Sequence, residues 1–211
     1  REAMWLDPAN AEVYYGLSWL AYKANRGDEM LRYIELALTI NANSDVYHFT
    51  HGMAQGMLGN LDYAMSAYRR ALKVNLYNLQ ALFNLIFTAD LHPSTTPEYA
   101  LALRREFDER FCAPLYAARQ SLGAPKNRPA PDRRLRIGYV SGDFRAHSAA
   151  AAFAPIVMYH DREQFEVYLY SMHNPEGGED QRDLFKENAN WRTAEGMSPG
   201  ELAQEIADDR I

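Results

Sequence analysis

Apolar positions in the first ninety residues recur at helical spacing on segments broken by two short polar turns, NRG at 25–27 and LGN at 58–60. A shift of 34 positions lays this pattern onto itself. Tyr14, His48 and Leu82 share one slot, Leu17, His51 and Leu85 a second, and Ser18, Gly52 and Ile86 a third. Later in the unit Met30 meets Ala64, Ile34 meets Tyr68, Ala37 meets Ala71, Leu38 meets Leu72 and Ile40 meets Val74. Two amphipathic segments and a turn, repeated at a fixed period, predict helix–turn–helix units. One such unit cannot bury its own apolar face, so the units stack. Complete units are expected at 11–44 and 45–78, with the first helix of a third at about 79–90; Arg1 to Asn10 falls on the tail slots of an earlier unit. Ser18, Gly52, Ala37 and Ala71 are small where helices are expected to cross closely.

These slots, the period and the DPAN and NANS boundaries resemble the tetratricopeptide repeat. The concave side of such a solenoid takes extended peptide, or else so few units only brace the next domain; the residues leave both readings open. After the repeats, Thr96-Pro97-Glu98 opens a helix toward Gly123 with apolar residues at Ala100, Leu103, Phe107, Phe111 and Leu115, and a kink is expected at Pro114. The three prolines of GAPKNRPAPDRR exclude helix and central strand, which makes this stretch a linker. The domain reading is therefore repeats at 1–95, a connecting helix and linker at 96–132, and a different fold at 133–211.

Beyond the linker the pattern alternates. Strands are predicted at Leu135 to Ser141, Phe165 to Ser171 and Trp191 to Ala194, and helices at 147–159, 180–190 and Pro199 to Asp208. Strands separated by helices imply a parallel, Rossmann-like sheet, and ligands of such sheets sit beyond the carboxyl ends of the strands. The loop Ser141 to His147 lies at such an end. It carries no G-x-G-x-x-G, P-loop or G-x-S-x-G spacing, so spacing alone names no reaction. Asp143, Arg145, His147 and Ser148 gather polar groups at a helix start, where free backbone N–H groups attract anions. On the residues alone His147 either contacts a ligand or serves as a cap or buried structural group. Asp143 is expected to accept from loop N–H groups, Ser148 to cap the helix, Gly138 and Gly142 to be turn residues, and the tract Ala149 to Ala152 to pack on the sheet.

Composition narrows the classes. The 211 residues carry a net charge of −6 with no basic stripe, which argues against nucleic acid as partner. No apolar run approaches the roughly 20 residues of a membrane helix. Cys112 is the one cysteine, so an internal disulfide or multi-thiolate metal site is excluded and a reducing, cytoplasmic compartment is favoured. His48 and His51 stand three apart on a helix, yet Tyr14, Leu17, Leu82 and Leu85 hold their slots elsewhere, so they are expected in the core or half-buried and not on a metal. His160 is expected to meet helix carbonyls, Trp191 to anchor the sheet, and His173 to lie in the HNPEGGED loop, which lacks hard-cation spacing. A start without Met or leader segment and a stop at DDRI read as a piece of a longer protein.

RRLRIGYVSGDFRAHS, HDREQFEVYLYS and WRTAEGMSPGELAQEIADDRI, following helical repeats, resemble the bacterial relatives of O-GlcNAc transferase and SPINDLY, glycosyltransferase family 41. The resemblance implies a repeat solenoid followed by a GT-B enzyme of two Rossmann-like lobes, of which this chain holds only the beginning of the first. It implies transfer of a sugar to Ser or Thr of protein acceptors with inversion and without metal or other cofactor. The donor is UDP-N-acetylglucosamine, with GDP-fucose as the alternative, and the acceptor lies along the concave repeat face and in the cleft. His147 then lies in the cleft as base or positioning group, with Asp143, Arg145 and Ser148 as substrate contacts. Where animal members carry a second His, this chain has the alanine tract, as suits the bacterial branch. Without the second lobe the chain is expected to be inactive alone. The alternative is an interaction module of repeats with a non-catalytic Rossmann-like domain.

Overall fold

The computed structural model describes residues 7–116, 127, 130, 132–173 and 185–211, which fall into two compact units, Arg1–Ala118 and Arg119–Ile211. In the first, helices α1 (Ala11–Lys23), α2 (Gly27–Ile40), α3 (Asp45–Met57), α4 (Leu61–Val74) and α5 (Leu79–Leu91) keep the period without a slip. The local chemistry repeats with them. Asn10, Ser44 and Asn78 cap α1, α3 and α5, accepting the backbone N–H of Glu12, Tyr47 and Ala81 respectively. Asn25 (φ 55°) and Gly59 (φ 78°) make the left-handed turn inside each unit, and the Asn41 and Asn75 side chains accept N–H groups two residues on.

Burial follows the slots. Met30, Ile34, Ala37, Ala64, Ala71, Leu82 and Leu85 are completely buried, in two clusters that run from unit to unit. The small residues do what close crossing requires. A Cβ on Gly52 would stand 2.4 Å from the Tyr68 ring. Helix α6 (Pro97–Phe107), capped by Thr96, sends Leu103 into the second of these clusters and so takes the place of a second helix for α5. Its regular geometry fails before Pro114: Asp108–Cys112 is a π-helical turn in which the Ala113 N–H bonds to the Asp108 carbonyl. Pro114, which has no N–H to offer the Arg110 carbonyl inside that turn, follows it directly. The tail slots at 1–6 and most of the proline-rich linker lie outside the described residues.

In the second unit strands β1 (Leu135–Ser141), β2 (Phe165–Ser171) and β3 (Asn190–Thr193) form a wholly parallel sheet in the order β1-β2-β3. Leu135 pairs with Phe165, and Ser141, Ser171 and Thr193 stand level at the carboxyl edge. Alternation sends Tyr139, Val167, Leu169 and Trp191 to one face, under α7 (Ser148–Met158), and Tyr168 and Tyr170 to the other, under α8 (Pro199–Asp208). Helices on both faces bury a parallel sheet, and β2 between its neighbours is the most enclosed strand. A capping box of Ser198 and Glu201 starts α8. Of the helix expected at 180–190, residues 185–188 are helical and 180–184 lie outside the described residues. Gly138 is not a turn residue. It sits in mid-strand, where a Cβ would come within 3.0 Å of Ile211 and 3.2 Å of Tyr170, so the glycine lets the end of α8 close on β1.

Of the four-alanine tract, Ala150 is buried, but Ala151 and Ala152 face outward, so the tract is packing on one side only. His160 does not take the α7 carbonyls. Its Nε2 lies 2.7 Å from the Tyr139 hydroxyl, and Arg162 instead donates to the Val157 and Met158 carbonyls. Trp191 is partly buried beside Phe144 with the Lys186 ammonium over its ring, as an anchor should be. No described helix is long and apolar enough to cross a membrane.

Candidate active site

The loop from β1 to α7 is held at both ends and in the middle. At its start the Ser141 hydroxyl accepts the Asp143 N–H at 3.0 Å. In the middle Phe144, 2% exposed, turns inward and meets Phe153, Phe185 and Trp191 with ring centroids 5.3–5.9 Å away. That anchor leaves its neighbours Asp143 and Arg145 on the outside of the turn. The Asp143 carboxylate faces Arg145 at 3.5 Å and the His147 ring at 3.7 Å. All three side chains are between a third and two-fifths exposed, so these pairs orient more than they stabilise.

His147, not Ser148, caps α7. Its backbone is extended (φ −147°, ψ 149°) and its Nδ1 accepts the Ala149 N–H at 3.1 Å, leaving Ser148 as the first helical residue. This has a chemical consequence. With Nδ1 accepting, the proton of the neutral ring resides on Nε2, which then points away as a donor. The side chain is thereby fixed as a cap and armed as a hydrogen-bond donor at the positive end of a helix. Arg145 adds charge beside it, and its Nε is buried with no acceptor among the described residues.

The same sheet edge receives the end of β2. Ser171, 1% exposed, donates to the His173 carbonyl at 2.7 Å, so that His173 leaves the sheet level with the β1 loop. The rest of its loop, 174–184, lies outside the described residues. Thus the structure brings Asp143, Arg145, His147 and Ser148 together on one loop and adds Ser141, Phe144 and Ser171 as supports. Sequence reasoning missed these supports, although an aromatic inside the polar run D-F-R was a usable sign of an anchored loop. His48 and His51 stay in their repeat slots: His48 Nε2 meets the Ala42 carbonyl at 2.9 Å and His51 faces Glu35 at 3.7 Å. Among the described residues no three His, Cys, Asp or Glu side chains could hold a metal.

Comparison with known proteins finds similarity over the segment that holds this loop. Residues 115–211 match glycosyl transferase family 41. The chain is 29% identical over 134 residues to the probable UDP-N-acetylglucosamine--peptide N-acetylglucosaminyltransferase SEC of Arabidopsis thaliana, covering 56% of the chain and 14% of that protein. It is 25% identical over 150 residues to the probable SPINDLY transferase of Oryza sativa subsp. japonica, covering 70% of the chain and 16% of the relative. Over 80 residues it is 34% identical to the UDP-N-acetylglucosamine--peptide N-acetylglucosaminyltransferase of Caenorhabditis elegans, which covers 37% of the chain and 7% of that protein. The chain thus spans a small part of the length of these relatives. The fold superposes along its whole length on a mutant of the Thermobaculum terrenum O-GlcNAc transferase, with a TM-score of 0.79, 23% identity and 39% of that chain covered.

Proposed function

Since residues 115–211 match glycosyl transferase family 41, we propose that the protein containing this chain is a glycosyltransferase of that family acting on protein acceptors. It moves N-acetylglucosamine from UDP-N-acetylglucosamine to Ser or Thr hydroxyls with inversion, GDP-fucose being the alternative donor. The names of the relatives support the donor and the peptide acceptor. The observation that carries the reading is His147, whose Nδ1 is occupied by the Ala149 N–H at the sheet edge. An imidazole held this way offers Nε2–H to an oxygen.

The role that follows is positioning. To act as general base, Nε2 would have to be bare, which would put the ring proton on Nδ1 against the Ala149 N–H and forfeit the cap. As a donor, Nε2–H holds an acceptor hydroxyl or a donor oxygen where charge develops, a contribution of a preorganised kind. Arg145 and the α7 N-terminus favour the anionic part of the donor, Asp143 keeps Arg145 in place, and Ser148 lies within the same first turn. In this reading the first unit is a tetratricopeptide solenoid whose concave face guides the acceptor, and the second is the first Rossmann-like lobe of a GT-B enzyme. The nucleotide wall belongs to the rest of the protein, so the 211 residues alone are inactive. The setting is cytoplasmic.

The test is His147→Ala in the full-length protein with UDP-N-acetylglucosamine and a peptide acceptor. Turnover should fall by about 100-fold or more, the usual effect of removing a preorganised donor. Unchanged turnover would sink the site. A full-length protein that neither binds nor transfers a nucleotide sugar would favour the interaction-module alternative.

A further inference from the structure

Two groups compete for one nitrogen of His147. The Ala149 N–H lies 3.1 Å from Nδ1 and needs it bare, whereas the Asp143 carboxylate lies 3.7 Å from the same atom and can bond it only when it carries a proton. The two contacts exclude one another. The neutral ring takes the first, as the cap of α7.

A protonated ring cannot do so. With N–H on both nitrogens it has lost the lone pair that accepts, and its charge sits at the N-terminus of α7, where the helix dipole disfavours a cation. Asp143 is the alternative. Arg145 faces its Oδ1 at 3.5 Å, and its Oδ2 is the oxygen turned toward the ring. Closing from 3.7 Å to an ordinary charged hydrogen bond takes a movement of about 1 Å. The ring is 39% exposed, so the proton can come from solvent. Among the described residues the ionisable groups facing it are Asp143 directly and Arg145 through Asp143; His173, at the end of β2, forms no ion pair with it.

We propose that Asp143 is a positioning residue for His147, giving the ring a second place, off the α7 cap, once the ring is protonated. The loop then has one geometry in neutral solution and another in acid. Nε2–H persists in both, so what changes is where it points. Because one partner replaces another, the exchange shows in the position of the ring more than in the stability of the unit. Under the transfer reading, on which this consequence rests, only the capped ring presents Nε2–H to the reacting oxygen, and acid turns the site off without unfolding it.

The test follows the Ala149 N–H and the Asp143 carboxyl carbon by NMR in the isotope-labelled chain from pH 8 to pH 5, the range in which histidines change charge. Both resonances should move in one transition. Both should stay flat in His147→Asn, whose side chain is a good cap and takes no proton. In acid the ring Nδ1–H should be visible in the parent, shielded by the carboxylate, and lost to solvent exchange in Asp143→Asn. An Ala149 N–H that moves without Asp143, movement that survives in His147→Asn, or an Nδ1–H equally visible without the carboxylate would each overturn the proposal. In the full-length protein, turnover of UDP-N-acetylglucosamine with a peptide acceptor should fall about tenfold or more along the same transition. Turnover that ignores a demonstrated exchange would uphold the two positions of the ring and count against the transfer site instead.

Discussion

In the repeat unit a slot does one job every 34 positions; in the α/β unit no position recurs and a few side chains each do a different one. Asn10, Ser44 and Asn78 are interchangeable caps, and Ala37 and Ala71 interchangeable crossings. His147 has no counterpart: it caps a helix, faces Asp143 and presents a donor at the sheet edge. Redundancy makes a solenoid tolerant, because each unit touches only its neighbours. Concentration ties the proposed site to one loop.

The sharpest way to break this contrast is an equal truncation in each region. Leu82→Ala and Leu169→Ala both remove a side chain with no exposure, and each should cost about 2–5 kcal/mol. Calorimetry should then show the transition of one unit lowered and the other unmoved. A common shift of both transitions would mean that the two regions melt as one body and that the contrast has no thermodynamic counterpart.

Glycine provides the next test. Gly52→Ala would drive a Cβ to 2.4 Å from the Tyr68 ring, whereas Gly138→Ala meets the Ile211 Cγ2 methyl at 3.0 Å and the Tyr170 ring at 3.2 Å. Overpacking of the first kind costs about 1–3 kcal/mol, partly offset by the better helix propensity of Ala. The sheet variant should lose less, and melting curves that rank the two the other way would show the sheet unit to be the less forgiving.

Much of this was legible in the sequence, for a physical reason. A period that recurs in the caps, turns and crossings together leaves little freedom, so the five repeat helices lie where the 34-residue offset puts them. The three strands followed from alternation and linker chemistry. What failed was side-chain partnership. Ser148 looked like the better cap by composition, but the extended backbone at His147 brought a ring nitrogen to the Ala149 N–H first. His160 looked poised for carbonyls until folding put the Tyr139 hydroxyl beside it and Arg162 on the helix end. Phe144 was invisible as an anchor because its three ring partners come from α7, from the helical turn at 185–188 and from β3. Such contacts depend on tertiary approach and leave no local pattern.

Charge separates the two regions by pH. Asp209 closes α8 onto the sheet, accepting from Arg192 and from the Tyr170 hydroxyl at 2.8 Å. Burial alone would raise its carboxyl, but Arg192, Tyr170 and Arg136 outweigh it and hold it below the ordinary Asp range of 3.8. A depressed carboxyl stabilises the fold above its unfolded value, and that contribution is lost as pH falls through the lower folded one. Asp209→Asn should therefore cost about 1–2 kcal/mol near neutrality, reduced by screening at the exposed side of Arg192. Its deficit relative to the parent should vanish in strong acid. A deficit that persists undiminished there would mean that shape, not charge, is what Asp209 contributes.

The smallest expected effect is in the repeats, at His51. Burial lowers its imidazole below the ordinary 6.5, and Glu35 opposes the shift only in part, while His48 and Arg70 reinforce it. The unfolded chain thus takes up a proton at a higher pH than the folded one does, so stability falls as pH drops below 6.5 and goes on falling until the folded imidazole is protonated. Leu17 and Leu85 occupy this slot in the neighbouring units, which makes His51→Leu the natural replacement. The first unit of the parent should lose a few degrees of melting temperature between pH 7 and pH 5 that the variant keeps, whereas the second unit, whose Asp209 titrates lower, should not respond over that interval. Identical acid sensitivity in parent and variant would move the pH response away from His51 and leave the repeat slot merely steric.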